Sequence, residues 1–371
     1  MTLFALGTLR TVLAAGLLCG SSSSSSSITT IIPGAAAAAA VVAVAAHPCS
    51  PHGGTWTELA PIANYPRQEQ STVTLSPTTI AIIGGIIPFS AGYNTTAILQ
   101  LYDIPTNCWR SGAPLPRTVN HPNAAVVDGK IYVLGALANS PDGAWRAIPD
   151  AWVYNPRSNT WRELPPMPTA EARGSCAVGV YGKTIWLAGG MTVLAPWKGG
   201  EQGTVDTVTA FDTAAERWVT TVPAVAQHLP GPRDHVGGAV VGDGFYVLGG
   251  RDHGQFNWHD TVFKLDLRRV ARGWETKAGK MPTPRGGLAA VAIGTKVYTF
   301  GGEGNPAPGS NGVFNQTEAY DTVRDSWEKL APMALPRHGT FAAAAGGRVY
   351  IPGGGLAIGG APTNYSDVFR P

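Results

Sequence analysis

The chain has 371 residues, of which 47 are glycine, 30 are proline and only 14% are charged. This composition favours many short strands joined by tight turns over a helical bundle. The formal net charge is +3 and the basic residues are scattered, which argues against a nucleic-acid-binding surface.

The first 48 residues differ from the rest of the chain. A short apolar run at 11–19 is followed by a serine tract at 21–27 and an Ala/Val segment at 35–46. Neither apolar run reaches the ~18 to 20 residues that span a bilayer. We therefore predict a signal peptide and low-complexity leader over residues 1–48 and a secreted, extracellular protein, with the cell surface as one option. An uncleaved anchor is the alternative.

The cysteines and sequons bear on the same expectation. Cys49 and Cys108 are candidates for a disulfide in an oxidising compartment, although sequence does not show their distance. Cys176 lies in an apolar strand and is expected to be a buried free thiol. Three glycosylation sequons fit a secreted glycoprotein: Asn94, Asn315 and Asn364.

A unit of 52 to 57 residues repeats through the remainder of the chain. Each unit has an arginine, an apolar strand, a polar turn, and a β-branched or aromatic strand that ends in glycines. A variable loop then leads to a strand that carries an aromatic residue, and a tryptophan usually follows seven residues later. The repeated tryptophans are Trp56, Trp109, Trp161, Trp218, Trp274 and Trp327.

This pattern resembles the kelch repeat, which implies an all-β, six-bladed kelch-type β-propeller over residues 49–371, a single domain. Two units depart from it, with Gly135-Ala136 replacing a glycine pair and Leu265 replacing the aromatic residue. The chain starts with one tryptophan strand and ends with three strands. We therefore predict that the N-terminal strand closes the ring as the outer strand of the last blade.

One face of such a ring receives the recurring arginines and the variable loops. An arginine fork suits carboxylate, sulfate or phosphate, and these side chains are expected to point at or near the central opening. The alternative is that they bind backbone carbonyls or nearby acids. The candidate ligand-binding residues are Arg67, Arg117, Arg173, Arg233, Arg285, Arg337 and His338.

Other side chains of the same face include histidines and aromatic rings. His121 and His235 also follow arginines closely, so they are expected near the mouth. Loop aromatics can form a platform for a sugar or peptide, or can pack back on the rim. They are Trp145, Trp197, Phe256, Trp258 and Phe314.

The function expected from this face is binding of an acidic or carbohydrate ligand or of a protein partner. One alternative is an enzyme on sugar acids that resembles sialic acid epimerase, with Glu303 or Asp234 as acid/base. Another is a structural protein of a surface or cell-wall layer. Copper-radical chemistry like that of galactose oxidase is disfavoured because the chain has no Tyr-His dipeptide.

No cofactor, metal site, nucleic-acid partner or membrane span is expected, and the protein is expected to be a monomer. One loop does bring together Asp252, His253, His259 and Asp260 in the sequence, but loop spacing alone fixes no metal geometry.

Overall fold

The computed structural model describes residues 53–90, 92–197 and 199–371. These residues form six four-stranded antiparallel sheets, the blades of a β-propeller. The innermost strand of each blade contacts the innermost strands of both neighbouring blades, and blade 6 contacts blade 1. The predicted fold class and blade number are therefore confirmed.

Each blade runs outward from the axis through four strands. Blade 1 contains Ser71–Ser76, Thr79–Ile83, Leu99–Asp103 and Cys108–Ser111. Blade 2 contains Ala124–Val127, Lys130–Asn139, Trp145–Asn155 and Thr160–Glu163. Blade 3 contains Ala177–Tyr181, Thr184–Ala188, Val208–Asp212 and Arg217–Trp218.

The remaining three blades follow the same order. Blade 4 contains Gly237–Val241, Gly244–Leu248, Val262–Asp266 and Trp274–Thr276. Blade 5 contains Ala289–Ile293, Lys296–Phe300, Thr317–Asp321 and Ser326–Lys329. Blade 6 contains Ala343–Ala345, Arg348–Pro352, Ser366–Arg370 and the N-terminal strand Thr55–Glu58.

Additional short elements occur between the blade strands. Three hairpins follow glycine-rich strand ends, and one of them also pairs with an extension of the third strand of blade 2. The hairpins are Ile86–Phe89 with Gly92–Thr95, Met191–Leu194 with Gln202–Thr204, and Gly355–Ala357 with Gly360–Pro362. The 3-10 helices are Thr169–Glu171, Ala224–Ala226 and Val270–Arg272.

The N-terminal strand closes the ring as predicted. Thr55–Glu58 pairs antiparallel with Ser366–Arg370, with Trp56 opposite Phe369. The Trp56 ring also packs edge-on against Phe300 of blade 5, with centroids 5.6 Å apart. This single strand therefore joins the two ends of the chain and covers what would otherwise be a free sheet edge.

The six repeated tryptophans connect neighbouring blades. Each indole Nε1–H donates to a backbone carbonyl that lies about one repeat earlier around the ring. The pairs are Trp56–Ala331 (2.8 Å), Trp109–Ala60 (3.0 Å), Trp161–Ala113 (2.9 Å), Trp218–Pro165 (3.0 Å), Trp274–Ala226 (3.2 Å) and Trp327–Gly279 (2.9 Å). The tryptophan thus supplies both a packed ring and a directed bond across each blade boundary.

Some sequence predictions lie outside the described residues. These are the leader over 1–48 and the pairing of Cys49 with Cys108.

Cys176 is buried and free, as expected, and burial raises the pKa of its thiol to about 11. Among the described residues, none of the helices is long and apolar enough to cross a bilayer.

The ring-closing tryptophan gives a testable prediction. Trp56→Phe removes the Nε1–H donor and leaves the Ala331 carbonyl without its partner, which we expect to lower the free energy of unfolding by about 1–3 kcal/mol. Trp218→Phe is the matched control, because its bond to Pro165 is solvent-exposed and water can replace the indole. Urea unfolding measures both; an equal loss in the two variants would contradict a special role of Trp56 in closure.

Candidate functional site

Five of the six candidate arginines are buried inside the blades. Their exposed fractions are 0% for Arg67, Arg285 and Arg337, 1% for Arg173 and 5% for Arg233. The expectation that these side chains point at the opening is therefore corrected. A long side chain that follows a proline-rich crossing reaches into its own blade, where backbone carbonyls need donors.

Four of the buried arginines bind the same place in the repeat. Each guanidinium donates to the carbonyl of the first glycine that ends the second strand of its own blade. The bonds are Arg67 Nη1 to Gly84 O (2.8 Å), Arg173 Nε to Gly189 O (2.8 Å), Arg285 Nε to Gly301 O (2.6 Å) and Arg337 Nε to Gly353 O (2.9 Å). The repeated arginine therefore supplies a hydrogen-bond donor to the carbonyl group at the glycine-rich end of the second strand of its own blade.

The same guanidinium groups also contact the second residue of the third strand. The partners are Gln100 for Arg67, Thr209 for Arg173, Glu318 for Arg285 and Asp367 for Arg337. Arg233 departs from the pattern: it donates to Pro232 O and Thr261 Oγ1, and its guanidinium lies over the Phe263 ring. Two of the arginine partners, Glu318 and Asp367, are therefore acids of the third strand. The sequence analysis did not consider them.

The glycine pair faces the arginine of the next blade. In Gly301-Gly302, both residues have positive φ, and Gly302 N–H donates to the Arg337 carbonyl. A Cβ on Gly301 would lie 2.2 Å from that same oxygen. Only glycine allows this approach, so the glycine pair and the arginine form one inter-blade joint.

Arg117 does not occupy this position. In blade 2 the equivalent carbonyl belongs to Val119, which accepts from Gly85 N–H of blade 1. The Arg117 side chain is instead exposed and makes a 3.4 Å ion pair with Asp150. The expectation that Arg117 is equivalent to the other five arginines is therefore wrong, because the equivalent residue is Val119, two positions later.

A ring of hydrogen bonds surrounds the axis two residues after the position of the buried arginine, or of Val119 in blade 2. Six residues there have positive φ: Glu69, His121, Ser175, His235, Gly287 and Gly339. Each backbone N–H donates to the member in the preceding blade, five times to the carbonyl and once, from His235, to Ser175 Oγ. We call these six residues the axial ring.

The axial ring forms part of the floor of a cavity of about 520 Å³ at the face that also carries the variable loops. Glu69, His121 and His235 of the ring line it, together with His338. Of the seven residues proposed from sequence as ligand-binding, only His338 lines this cavity. His121 and His235 lie near the mouth, as the sequence indicated.

Arg251 is the arginine that the cavity contains. It follows the glycine pair of blade 4, is 2% exposed, and donates from Nη1 to Glu303 Oε1 and from Nε to Asp234 Oδ1 (3.2 Å). Its Nη2 lies 3.3 Å from His235 Nε2. Sequence reasoning missed Arg251, although its position after a glycine pair, like that of Glu303, was a usable signal.

Glu303 and Asp234, the candidate acid/base residues, are both buried beside Arg251. Burial alone would raise the pKa of Glu303, but Arg251 and then His338 offset this, so the pKa lies below its usual value. Burial likewise opposes ionisation of Asp234, whereas His235 and Arg251 lower its pKa. Burial and the positive charge of Arg251 lower the pKa of His235. Both acids are therefore held as carboxylates in ion pairs.

The cavity has one apolar side. Ile86, Leu137 and Met191, which follow the glycine-rich strand ends of blades 1 to 3, form a buried cluster with Trp145 and Leu194. The equivalent positions of blades 4 and 5 hold Arg251 and Glu303. Of this cluster, Trp145 and Leu194 line the cavity and give it an apolar wall, while Arg251 and Glu303 give it a charged wall.

The loop aromatics separate into two groups. Trp145, Trp197 and Phe256 line the cavity, and Trp197 and Phe256 are 53% and 76% exposed. Phe314 is buried away from the cavity, and Trp258 packs against Phe256 at 5.9 Å between centroids. The first group fits the expected platform and the second fits packing on the rim.

The three sequon asparagines are not equally accessible. Asn364 is exposed, whereas Asn94 and Asn315 are half-buried. The Asn94 side chain also accepts a 3.1 Å hydrogen bond from Asn139. Glycosylation at these residues stays a prediction.

These observations define a six-bladed propeller whose axial mouth holds a partly apolar, partly charged cavity. Residues 197–370 match the KLHDC2/KLHL20/DRC7 Kelch-repeats domain, and residues 120–168 match the Kelch motif. The chain is 38% identical over 327 residues to "Kelch-like protein terF" of Aspergillus terreus, covering 87% of this chain and 69% of that protein. The protein belongs to the kelch-repeat family.

More distant relatives share part of the chain. Human "Kelch domain-containing protein 3" is 27% identical over 249 residues, 64% of each protein. Human "Kelch-like protein 23" is 27% identical over 283 residues, which is 75% of this chain and 44% of that protein. Kelch propellers are in general protein-binding modules, and that general class applies here.

The structural role of the repeated arginines is testable. Arg337→Met leaves Asp367, which is 1% exposed, without its cation, and we expect a loss of about 3–5 kcal/mol in the free energy of unfolding near neutral pH. Arg117→Met is the control, with an expected change within about 0.5 kcal/mol because the side chain is exposed. Urea unfolding measures both.

The pH dependence of that loss identifies its cause. Burial raises the pKa of Asp367 while Arg337 opposes the rise, so the variant should raise it further. A carboxyl whose folded pKa exceeds its unfolded pKa loses stability as the pH rises through the folded value. The deficit of Arg337→Met should therefore shrink as the pH falls from about 7 to about 4. A deficit that is the same at both pH values would point to the lost carbonyl bonds alone.

Proposed function

We propose that the protein binds a small, hydroxyl-rich ligand of the carbohydrate type in the axial cavity. The observation that carries this proposal is one concave site with an aromatic rim, an apolar wall and a floor of carboxylate, guanidinium and imidazole groups. A volume of about 520 Å³ lies within the range of small-molecule pockets. Rings stack on the apolar faces of a sugar, while carboxylates accept from its hydroxyl groups.

An acidic ligand has less support from this geometry than the arginine pattern suggested. The described cavity residues include the carboxylates Glu69 and Glu303, and Asp234 accepts a 3.2 Å hydrogen bond from Arg251 Nε. The guanidinium of Arg251 is already shared between Glu303 and Asp234. A carboxylate ligand would meet a site whose positive charge is neutralised, so hydroxyl donors suit the floor better.

An enzyme that acts on sugar acids also has less support, because both candidate acids, Glu303 and Asp234, form ion pairs with Arg251.

A protein partner remains compatible with the exposed rim, since Trp197 and Phe256 offer exposed apolar surface. Secretion and an extracellular location stay as proposals, supported by the composition of residues 1–48 and by the sequons. A monomeric state also stays a proposal.

The rim aromatics provide the test of this proposal. Glycan and acidic-peptide arrays identify a ligand, and calorimetry then compares Trp197→Ala and Phe256→Ala with wild type. We expect each variant to weaken binding about tenfold, which corresponds to about 1.4 kcal/mol. Both side chains are exposed, so folding should be unaffected.

Tyr65→Ala is the matched control, since Tyr65 is 48% exposed and lies outside the cavity lining. Its affinity for the ligand should equal that of wild type. Binding of acidic peptides that weakens with salt, without any glycan binding, would overturn the proposal in favour of an acidic ligand. Equal weakening by all three variants would show that the rim is not the binding surface.

A further inference from the structure

Three side chains of the axial ring bring their polar atoms to one point. Glu69 Oε2 lies 3.1 Å from His121 Nε2, and His121 Nε2 lies 3.0 Å from His235 Nε2. The three atoms all fall within 4.8 Å of one another, and all three residues are buried. They belong to blades 1, 2 and 4, so they come together only when the blades close around the axis.

The backbone holds these residues firmly. Each has a positive φ, 55° for Glu69, 49° for His121 and 48° for His235, and each donates its N–H within the axial ring. The other ring positions are Ser175, Gly287 and Gly339, so no bulky side chain competes for the axis. Non-glycine residues in this conformation are strained, which marks a site that the surrounding structure imposes.

Each imidazole is oriented by an oxygen acceptor at Nδ1, the ring nitrogen opposite the Nε2 atom that belongs to the cluster. His121 Nδ1 lies 2.6 Å from Asn120 Oδ1, and His235 Nδ1 lies 2.6 Å from Asp234 Oδ1. These acceptors favour a proton on each Nδ1 and leave each Nε2 as a lone pair. Two lone pairs face each other at 3.0 Å, and Arg251 Nη2, which lies 3.3 Å from His235 Nε2, can donate to only one of them. A proton or a cation between the two nitrogens relieves the remaining repulsion. A histidine held by a carboxylate in this way is the usual arrangement around a bound metal.

The charge of the cluster points to a cation. Three buried carboxylates, on Glu69, Asp234 and Glu303, are accompanied by one guanidinium, on Arg251. With neutral imidazoles the group would carry two uncompensated negative charges, which is costly in a buried site. A divalent cation offsets this charge, and protonation of the imidazoles is the competing way to do so.

We propose that Glu69, His121 and His235 bind a divalent first-row transition-metal ion, with Zn²⁺ as the simplest occupant. Ligand atoms at about 2.1 Å from one ion and about 90–110° apart are separated by about 3.0–3.4 Å, which is close to both observed spacings. Imidazole and carboxylate are ligands that such ions accept. Because the three side chains line the cavity, the remaining coordination positions face it and are open to water or to a ligand hydroxyl.

The test uses the full chain produced without a polyhistidine tag, stripped with a chelator and titrated with Zn²⁺ or Co²⁺ alone. We expect one ion per chain by calorimetry and a Co²⁺ visible absorption band. Glu69→Gln, His121→Asn and His235→Asn should each weaken binding at least about 100-fold, the upper end of the cost of losing a residue that only supports a metal ligand. Asparagine tolerates positive φ, so the two histidine variants keep the local backbone.

His259→Gln is the matched control, because His259 also pairs with an aspartate, Asp252, at 3.2 Å but lies in a loop outside the axial ring. Its metal affinity should equal that of wild type. Crystals of the wild type soaked in Zn²⁺ should show an anomalous peak about 2.1 Å from both Nε2 atoms, which requires no variant to fold.

No stoichiometric ion, or an anomalous peak confined to another place, would overturn the proposal and favour protonated imidazoles. Retained affinity in all three axial variants would overturn it as well. The titration contains no organic ligand, so its result is independent of whether the cavity binds a carbohydrate.

Discussion

The closed hydrogen-bond ring at the axis is the constraint on which the cavity depends. Each residue of the axial ring takes a positive φ, and its N–H donates to the ring residue of the preceding blade. The bond from Glu69 to Gly339 closes the ring. That conformation turns the side chain toward the axis. Three of the six ring residues, Glu69, His121 and His235, therefore form part of the floor of the cavity, and the blades hold them in place.

The repeated residues and the functional residues occupy different layers. Tryptophan, arginine and the glycine pair recur in the repeat because they join blades: indole to carbonyl, guanidinium to glycine carbonyl, glycine N–H to the next arginine carbonyl. The cavity instead depends on positions where the repeats differ, such as Glu69, His121 and Arg251. The repeated tryptophan, arginine and glycine pair therefore indicate the fold but not the ligand.

The asymmetry of the mouth follows from this division. Residues after the strand-ending glycines are apolar in blades 1 to 3 and charged in blades 4 and 5, as in Met191 and Glu303. A ligand that enters meets Trp145 and Leu194, which pack on these apolar residues, and also the charged side chains of Arg251 and Glu303. Such a surface orients an amphipathic molecule, and the buried carboxylates of the floor favour hydroxyl donors or a cation over an anion.

Local sequence patterns were enough to define the repeat, the number of blades and the closure by the Trp56 strand, because the unmatched strands at the two ends complete one blade. They also indicated the correct face and placed three histidines near the mouth. The direction of Arg337 and its counterparts depended on tertiary contacts, since their partners, Gly353 and Asp367, are distant in sequence. The convergence of Glu69, His121 and His235 depended on them too, because it requires blades 1, 2 and 4 to meet around one axis.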